Sequence, residues 1–573
     1  MRMTGSEAAL EALRAEGITT MPGLVGSAFM DLLDIVDKAG IRFIPVRHEA
    51  TAGFMAQGMA RVTGRASVCI GQNGPGVTNL VTSVRDAYLA HTPVIAITPS
   101  TATSQVGTDA IQELDAMKLF EPIVGYQVRV PRASRMAESF QAAFRAAYAF
   151  NRPAQVDIPR DFFFEEIDIE VASPKQYRGA PLGAGDADAL AEAAKVLLEA
   201  KSPVIIAGYG VVNSNGIDAL RQLAEFLSIP VTTTYLHNDA FPPDHPLSAG
   251  ALGYGGSKAA MRILEKADVI LAIGARISDW GELVPRYDIK YFPANVRIIQ
   301  VDANPMQLGR MRKLELGIWG DARACAIELL RICKDSSRGN GKHADRTAMV
   351  AAEREAWNKE RASISSDDRT PMSPRRVLAE LEKALPDDVV VTTDIGNLVG
   401  VACDYLKVKQ SRGHLATLGF GGVGGAYGLA LGAKVANPRR PVLALMGDGG
   451  WGFSLVEVIT AVQQDIPVTA LILDNSQWGA EMRNQVEWYD NRFVGTVLKN
   501  PDYAAIAKLM GAEAVRVESV SDLKDALHQS LGSDRPWVVH SIVDSKELGE
   551  SFRRDVMKAP TRIMERYREK VAR

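Results

Sequence analysis

Cysteine is scarce in this chain of 573 residues: Cys69, Cys325, Cys333 and Cys403 are scattered, with no Cys-x-x-Cys pair. That pattern excludes a disulfide framework and fits a reducing cytoplasm. Long apolar runs are missing as well. No stretch approaches ~18 uninterrupted apolar residues, so no membrane span is expected. The opening MRMTGSEAALEALRAEGI reads as a charged amphipathic helix without the apolar core of a signal peptide. Nor is there a surplus of charge: a formal net charge of −3 gives no reason to expect a nucleic acid or another polyanion as partner. What is present is globular material, 47% hydrophobic, long enough for about three or four domains of ~150 residues.

Read in order, the chain alternates helix and strand. Residues 1–170 carry helix Ser6–Glu16, a turn at Pro22-Gly23, helix Ser27–Lys38, strand Ile41–Val46, helix Thr51–Val62, strand Ala66–Gly71, helix Thr78–Tyr88 and strand Val94–Thr98. A Pro/Gly-rich linker, 171–186, leads to a middle domain, 187–340, with strands at Val204–Ala207, Val231–Thr234, Val269–Ile273 and Arg297–Val301. A third domain, 373–550, repeats the alternation, and a basic tail follows at 551–573. The fold class is therefore α/β, with three doubly wound parallel-sheet domains.

The chemistry concentrates in GDGGWGFSLVEVITAVQQDIPVTALILDNSQWG, residues 447–479. It reads as strand, helix, strand, and a right-handed crossover brings both strand ends to one sheet edge. Asp448 and Asn475 lie just past those ends, so their side-chain oxygens can reach one point. Gly447, Gly449 and Gly450 let backbone N–H groups approach an anion. A carboxylate, an amide oxygen and an anion-binding loop together describe a Mg²⁺–diphosphate site.

This spacing resembles the motif of thiamine-diphosphate-dependent enzymes, of the carboligase type. The resemblance implies thiamine diphosphate and Mg²⁺ as cofactors, with Asp448, Asn475 and the Gln477 carbonyl on the metal and Trp478 and Gly479 beside the coenzyme. The usual Asn-Asn is here Asp474-Asn475. RHEATAGFMAQGMARVTG looks like the family's catalytic-glutamate segment. It assigns Glu49 to share a proton with the coenzyme's pyrimidine; a lone Glu there would otherwise answer a helix dipole. QNGPGVTN supplies the cofactor-proximal Gly74, Pro75 and Asn79. Gly396 and Asn397 match diphosphate contacts, the Gly421 carbonyl an aminopyrimidine contact, and Val423 the apolar wedge under the coenzyme. Seven glycines among residues 418–433 read as a loop where backbone meets ligand. Gln112 matches a substrate-channel glutamine, and Val25 and Gly26 are further substrate contacts. His48 and His91 are candidates too, against a structural reading for each.

Within the family the resemblance is greatest to sulfoacetaldehyde acetyltransferases, through GAEMRNQVEWYDNRF and KELGESFRRDVMKAPTRIMERY. It implies conversion of sulfoacetaldehyde and phosphate to acetyl phosphate and sulfite. Arg553, Arg554 and Lys558 could receive the anions, or form a solvated tail. Those enzymes tend to carry Arg at the position of Ser476 and Lys at that of Met482. The central domain binds FAD in some relatives; Gly208-Tyr209-Gly210 lacks a full dinucleotide fingerprint, and FAD is not expected here. Because pyrimidine and diphosphate ends map to different domains, a homodimer or homotetramer is expected. The alternatives are an acetolactate-synthase-like carboligase and a non-catalytic relative of the same fold.

Overall fold

The computed structural model describes residues 1–278, 283, 285–336, 344–417 and 419–550. Three six-stranded sheets follow one another along it, and every ladder inside them is parallel. A short antiparallel pair, β1 (Arg2–Thr4) with β8 (Glu166–Asp168), ties the start of the first unit to its end. The first sheet comprises β2 (Thr20–Gly23), β3 (Arg42–Pro45), β4 (Ser67–Ile70), β5 (Val94–Ser100), β6 (Tyr126–Arg129) and β7 (Ala154–Pro159), ordered β3-β2-β4-β5-β7-β6.

The central sheet holds β9 (Pro203–Ala207), β10 (Val231–Thr233), β11 (Ser248–Ala251), β12 (Val269–Ile273), β13 (Arg297–Asp302) and β14 (Leu316–Trp319), ordered β11-β10-β9-β12-β13-β14. The third holds β15 (Val390–Thr393), β16 (His414–Ala416), β17 (Val442–Gly447), β18 (Thr469–Asp474), β19 (Glu513–Val517) and β20 (Trp537–Ile542), ordered β16-β15-β17-β18-β20-β19. The first and third sheets thus share one topology, and the central sheet has another. The inner strands β4, β5, β17 and β18 are short apolar runs because helices cover both faces of a parallel sheet.

Two expectations are corrected. Pro22-Gly23 is not a turn but the end of β2, buried in mid-sheet. Proline has no N–H to donate, and β2 meets β4 only at Gly23 opposite Ile70. The glycine-rich stretch is not a loop throughout: Gly425–Ala436 is a helix, buried along most of its length. It crosses helix Glu49–Thr63 so closely that a Cβ on Gly432 would stand 2.0 Å from the Met55 carbonyl oxygen. One on Gly58 would stand 2.2 Å from the Leu429 carbonyl oxygen. Glycine is needed there because backbone meets backbone, not ligand. The two outer units consequently share one hydrophobic core, running from Ile44 and Met55 to Tyr427 and Trp451. Among the described residues no helix is long and apolar enough to cross a membrane.

Candidate active site

In a parallel sheet the loops leaving the strands gather at one edge, where ligands bind. At that edge of the first sheet Glu49 opens its helix and is buried. Its Oε2 accepts a hydrogen bond from Asn79 Nδ2 at 2.9 Å. The turn after β4 closes over the other oxygen: a Cβ on Gly76 would lie 2.7 Å from Glu49 Oε1. The approach to Glu49 is held from the third unit, where Glu457 accepts the N–H groups of Arg47 and His48 at 3.1 and 3.0 Å. His48 has a structural task, its Nδ1 capping the helix by accepting from Ala50 N at 3.2 Å.

Val25, Gly26 and Gln112 come to the same edge through Gln72. Gln72 Nε2 donates to Gln112 Oε1 at 2.7 Å, and its Oε1 accepts from Ala28 N at 3.1 Å. A Cβ on Gly74 would be 2.7 Å from the Gln112 carbonyl, so the turn that starts helix Pro75–Asn79 packs directly on Gln112. His91 does not join them. It precedes β5 and therefore lies at the opposite edge, which is the physical reason it cannot share this cleft. Burial pushes its imidazole well below the usual range, so it is neutral, and its Nε2 has no hydrogen-bond partner among the described residues.

At the matching edge of the third sheet, β17 runs straight into helix Asp448–Ser454. Burial, and then the neighbouring Asp474, pushes the Asp448 carboxyl above the usual carboxylate range. Asp448 Oδ2 accepts from Gln477 N at 3.1 Å and from Asn500 Nδ2 at 2.7 Å. Asn475 is buried, and its Nδ2 has no partner among the described residues. The bed is shaped by close approach. A Cβ on Gly450 would sit 2.2 Å from Asp394 Oδ2, and one on Gly449 would sit 2.6 Å from the Trp478 ring. Asp394 also accepts from Gly424 N at 2.9 Å, and burial pushes its carboxyl up to about 7. Beside Gly447 an added Cβ would meet nothing within 4 Å. Gly479 adjoins Asn475 Nδ2, 3.5 Å from where its Cβ would be. Gly421 takes a left-handed φ of +83°, and Val423 is partly exposed beside it.

Gly396 leads into Asn397, whose side chain ties this edge to the chain's C-terminal stretch and to Tyr254. Its Oδ1 accepts from Gly549 N at 2.6 Å and its Nδ2 donates to Tyr254 OH at 3.0 Å. Ser476 forms a tight turn onto Asp474, and Met482 is buried against Thr496, so neither position presents a cation. Arg553, Arg554 and Lys558 lie outside the described residues.

The donors at this edge suit Mg²⁺: one carboxylate, the oxygen of the Asn475 amide whose nitrogen is unpartnered among the described residues, and one peptide carbonyl are hard oxygens beside an open glycine turn. Among the described residues no group of three or more His, Cys, Asp or Glu could hold a metal. Residues missed from the sequence are Glu457, Asn500 and His540, while Gln72 and Asp394 stand in turns already assigned to the ligand edge but without the roles found here. Each acts through a partner remote in sequence.

A separate cavity of about 1090 Å³ lies between the first and central units, lined by Tyr88, His91, Arg152, Tyr209, Arg276 and Asp302 among others. It opens where the central strand order reverses between β9 and β12, a usual crevice for ligands.

Models of the thiamine pyrophosphate enzymes match in three places: the N-terminal TPP binding domain over residues 3–119, the central domain over 190–329 and the C-terminal TPP binding domain over 394–541. The chain is 44% identical to the sulfoacetaldehyde acetyltransferase of Castellaniella defragrans, over 99% of this chain and 97% of that one. It is 40% identical to that of Rhodobacter capsulatus, over 98% and 97% respectively. Similarity extends to the acetolactate synthase large subunit of Corynebacterium glutamicum, at 31% identity over 95% of this chain and 87% of that one.

Proposed function

The chain belongs to the thiamine pyrophosphate enzymes, and from that premise we propose that it converts sulfoacetaldehyde and phosphate to acetyl phosphate and sulfite. The observation that carries this reading is the 44% identity, over almost the whole of both chains, to a protein named for that substrate. When bound, thiamine diphosphate supplies a carbon nucleophile for the aldehyde. Glu49, its Oε2 held by Asn79 Nδ2, would exchange a proton at its carboxyl with the bound coenzyme. Asp448, Asn475 and the Gln477 carbonyl hold Mg²⁺. The N–H groups at Gly447, Gly449 and Gly450 hold the diphosphate, with Trp478 and Gly479 closing the bed. The Gly421 carbonyl and Val423 bear on the aminopyrimidine. Gln112, Val25 and Gly26 line the way in, and Arg553 and Arg554 receive the anions.

Each site takes Glu49 from one subunit and Asp448 from another, so a homodimer is the smallest active unit. Exposed apolar residues near both edges, including Ile111 and Phe453, suit such an interface. A second reading has its own support: the large cavity at the central switch point favours an acetolactate-synthase-like carboligase carrying a nucleotide cofactor. Our reading leaves it without flavin.

The test is to incubate the enzyme with phosphate and either sulfoacetaldehyde or pyruvate, and to measure sulfite, acetyl phosphate and CO₂. Sulfite and acetyl phosphate in equal amounts, from a protein without absorbance near 450 nm, are expected. CO₂ from pyruvate with no sulfite, from a yellow protein, would replace this reading by the second.

A further inference from the structure

On the footing that Asp448 is a metal ligand, we propose that Asn500 is a positioning residue which selects the oxygen of Asp448 that faces the cation. Asp474 and His540 hold Asn500 to that task. Two buried carboxylates side by side repel each other wherever both are ionised. Asn500 spans them: its Nδ2 donates to Asp448 Oδ2 at 2.7 Å and to Asp474 Oδ1 at 2.9 Å. Its own Oδ1 accepts from Tyr503 OH at 3.1 Å. A flipped amide would set an oxygen against both carboxylates, so the network fixes which way it points. Asp448 Oδ2 also takes the Gln477 N–H, at 3.1 Å. With two donors on Oδ2, Oδ1 is the oxygen left for a cation.

Asp474 is anchored in turn. Its Oδ1 accepts from Ser476 N at 2.8 Å, and its Oδ2 lies 2.8 Å from His540 Nε2. His540, on β20, is 1% exposed. The Tyr503 ring stands edge-on to it with centroids 5.2 Å apart, and Asp502 Oδ1 is 3.6 Å from its Nδ1. The segment Asn500-Pro501-Asp502-Tyr503 therefore grips both carboxylates and the histidine together. It lies outside the Gly-Asp-Gly and Asn spacing, and it accounts for an Asp at 474: the acid is kept because an amide and an imidazole satisfy both its oxygens.

The test is a Mg²⁺ titration of the full-length protein at saturating thiamine diphosphate, read by tryptophan fluorescence, since Trp478 lies against Gly449. Asn500→Ala should weaken Mg²⁺ binding by about 10- to 100-fold with an unaltered circular dichroism spectrum. Tyr503→Phe keeps the ring and removes only the hydroxyl; it should weaken binding in the same direction by about threefold or more. Weakened binding in Asn500→Ala with wild-type binding in Tyr503→Phe would point to general loosening of the loop, and that split would overturn the proposal. So would unchanged affinity in Asn500→Ala and Tyr503→Phe. A wild-type protein that takes up no Mg²⁺ with the coenzyme would overturn the metal-site reading too, whereas normal wild-type binding with an indifferent Asn500→Ala removes this inference alone.

Discussion

The first and third sheets thread six strands in the same order, and in each the helix after the second strand is the one laid against the other unit. Their edges nevertheless carry different chemistry. After β4 the chain makes a glycine turn that rests on one carboxylate, Glu49, among the amides of Gln72, Asn79 and Gln112. After the equivalent β17 it enters a helix at once, and two carboxylates lie bridged by an amide. A shared frame sets where a functional group can stand; the loop sequence decides which group stands there. The two units are not independent, because Glu457 of the third holds the segment that presents Glu49 from the first.

Separating the roles of the two edges is the sharpest way to break this comparison. Glu49→Gln should still bind thiamine diphosphate, since the diphosphate bed is untouched, yet exchange the coenzyme's C2 proton about 10²- to 10⁴-fold more slowly by NMR. Unchanged exchange would leave the first edge without its assigned chemistry. The joint between the units comes next. Gly432→Ala places a Cβ 2.0 Å from a carbonyl oxygen and should cost about 1–3 kcal/mol in urea unfolding. Gly179→Ala, where the added carbon meets nothing within 4 Å, is the neutral control.

The smallest effect concerns Asp86, which crosses the joint by accepting from Gln57 Nε2 at 3.0 Å and from Phe420 N at 3.2 Å. Burial pushes its carboxyl from 3.8 up to about 7. Between those values the folded chain holds a proton that the unfolded chain lacks, so stability falls as pH rises through that window, by at most about 1.4 kcal/mol per pH unit. Asp86→Asn should flatten the difference in unfolding free energy between pH 5 and pH 7. An unflattened difference would exclude Asp86 as its source.

The alternation of apolar runs is enough to place about half the strands of the three sheets, because a buried parallel strand is a local signal. Asp448 and Asn475 were legible for the same reason, one crossover bringing their strand ends side by side. The glycines of Gly425–Ala436 were not, since what they meet is backbone from the other end of the chain. Asn397 reads in the sequence as a diphosphate contact, and its side-chain partner Gly549, 152 positions away, has no local signal. Asn500 is a single amide in a loop with no pattern around it. His91 could have been placed correctly: a residue just before a strand of a parallel sheet stands at the edge away from the ligand.

At Gly58 and Gly432 the crossing of helices Glu49–Thr63 and Gly425–Ala436 brings main chain against main chain, while Phe54 packs on Gly425 and Gly428 beside it. A contact cushioned by leucines can absorb a small displacement by changing rotamers; the two glycine contacts have no such slack. A tilt of either helix has to be met by the backbone of the other, so the unit that carries Glu49 and the unit that carries Asp448 are joined main chain to main chain.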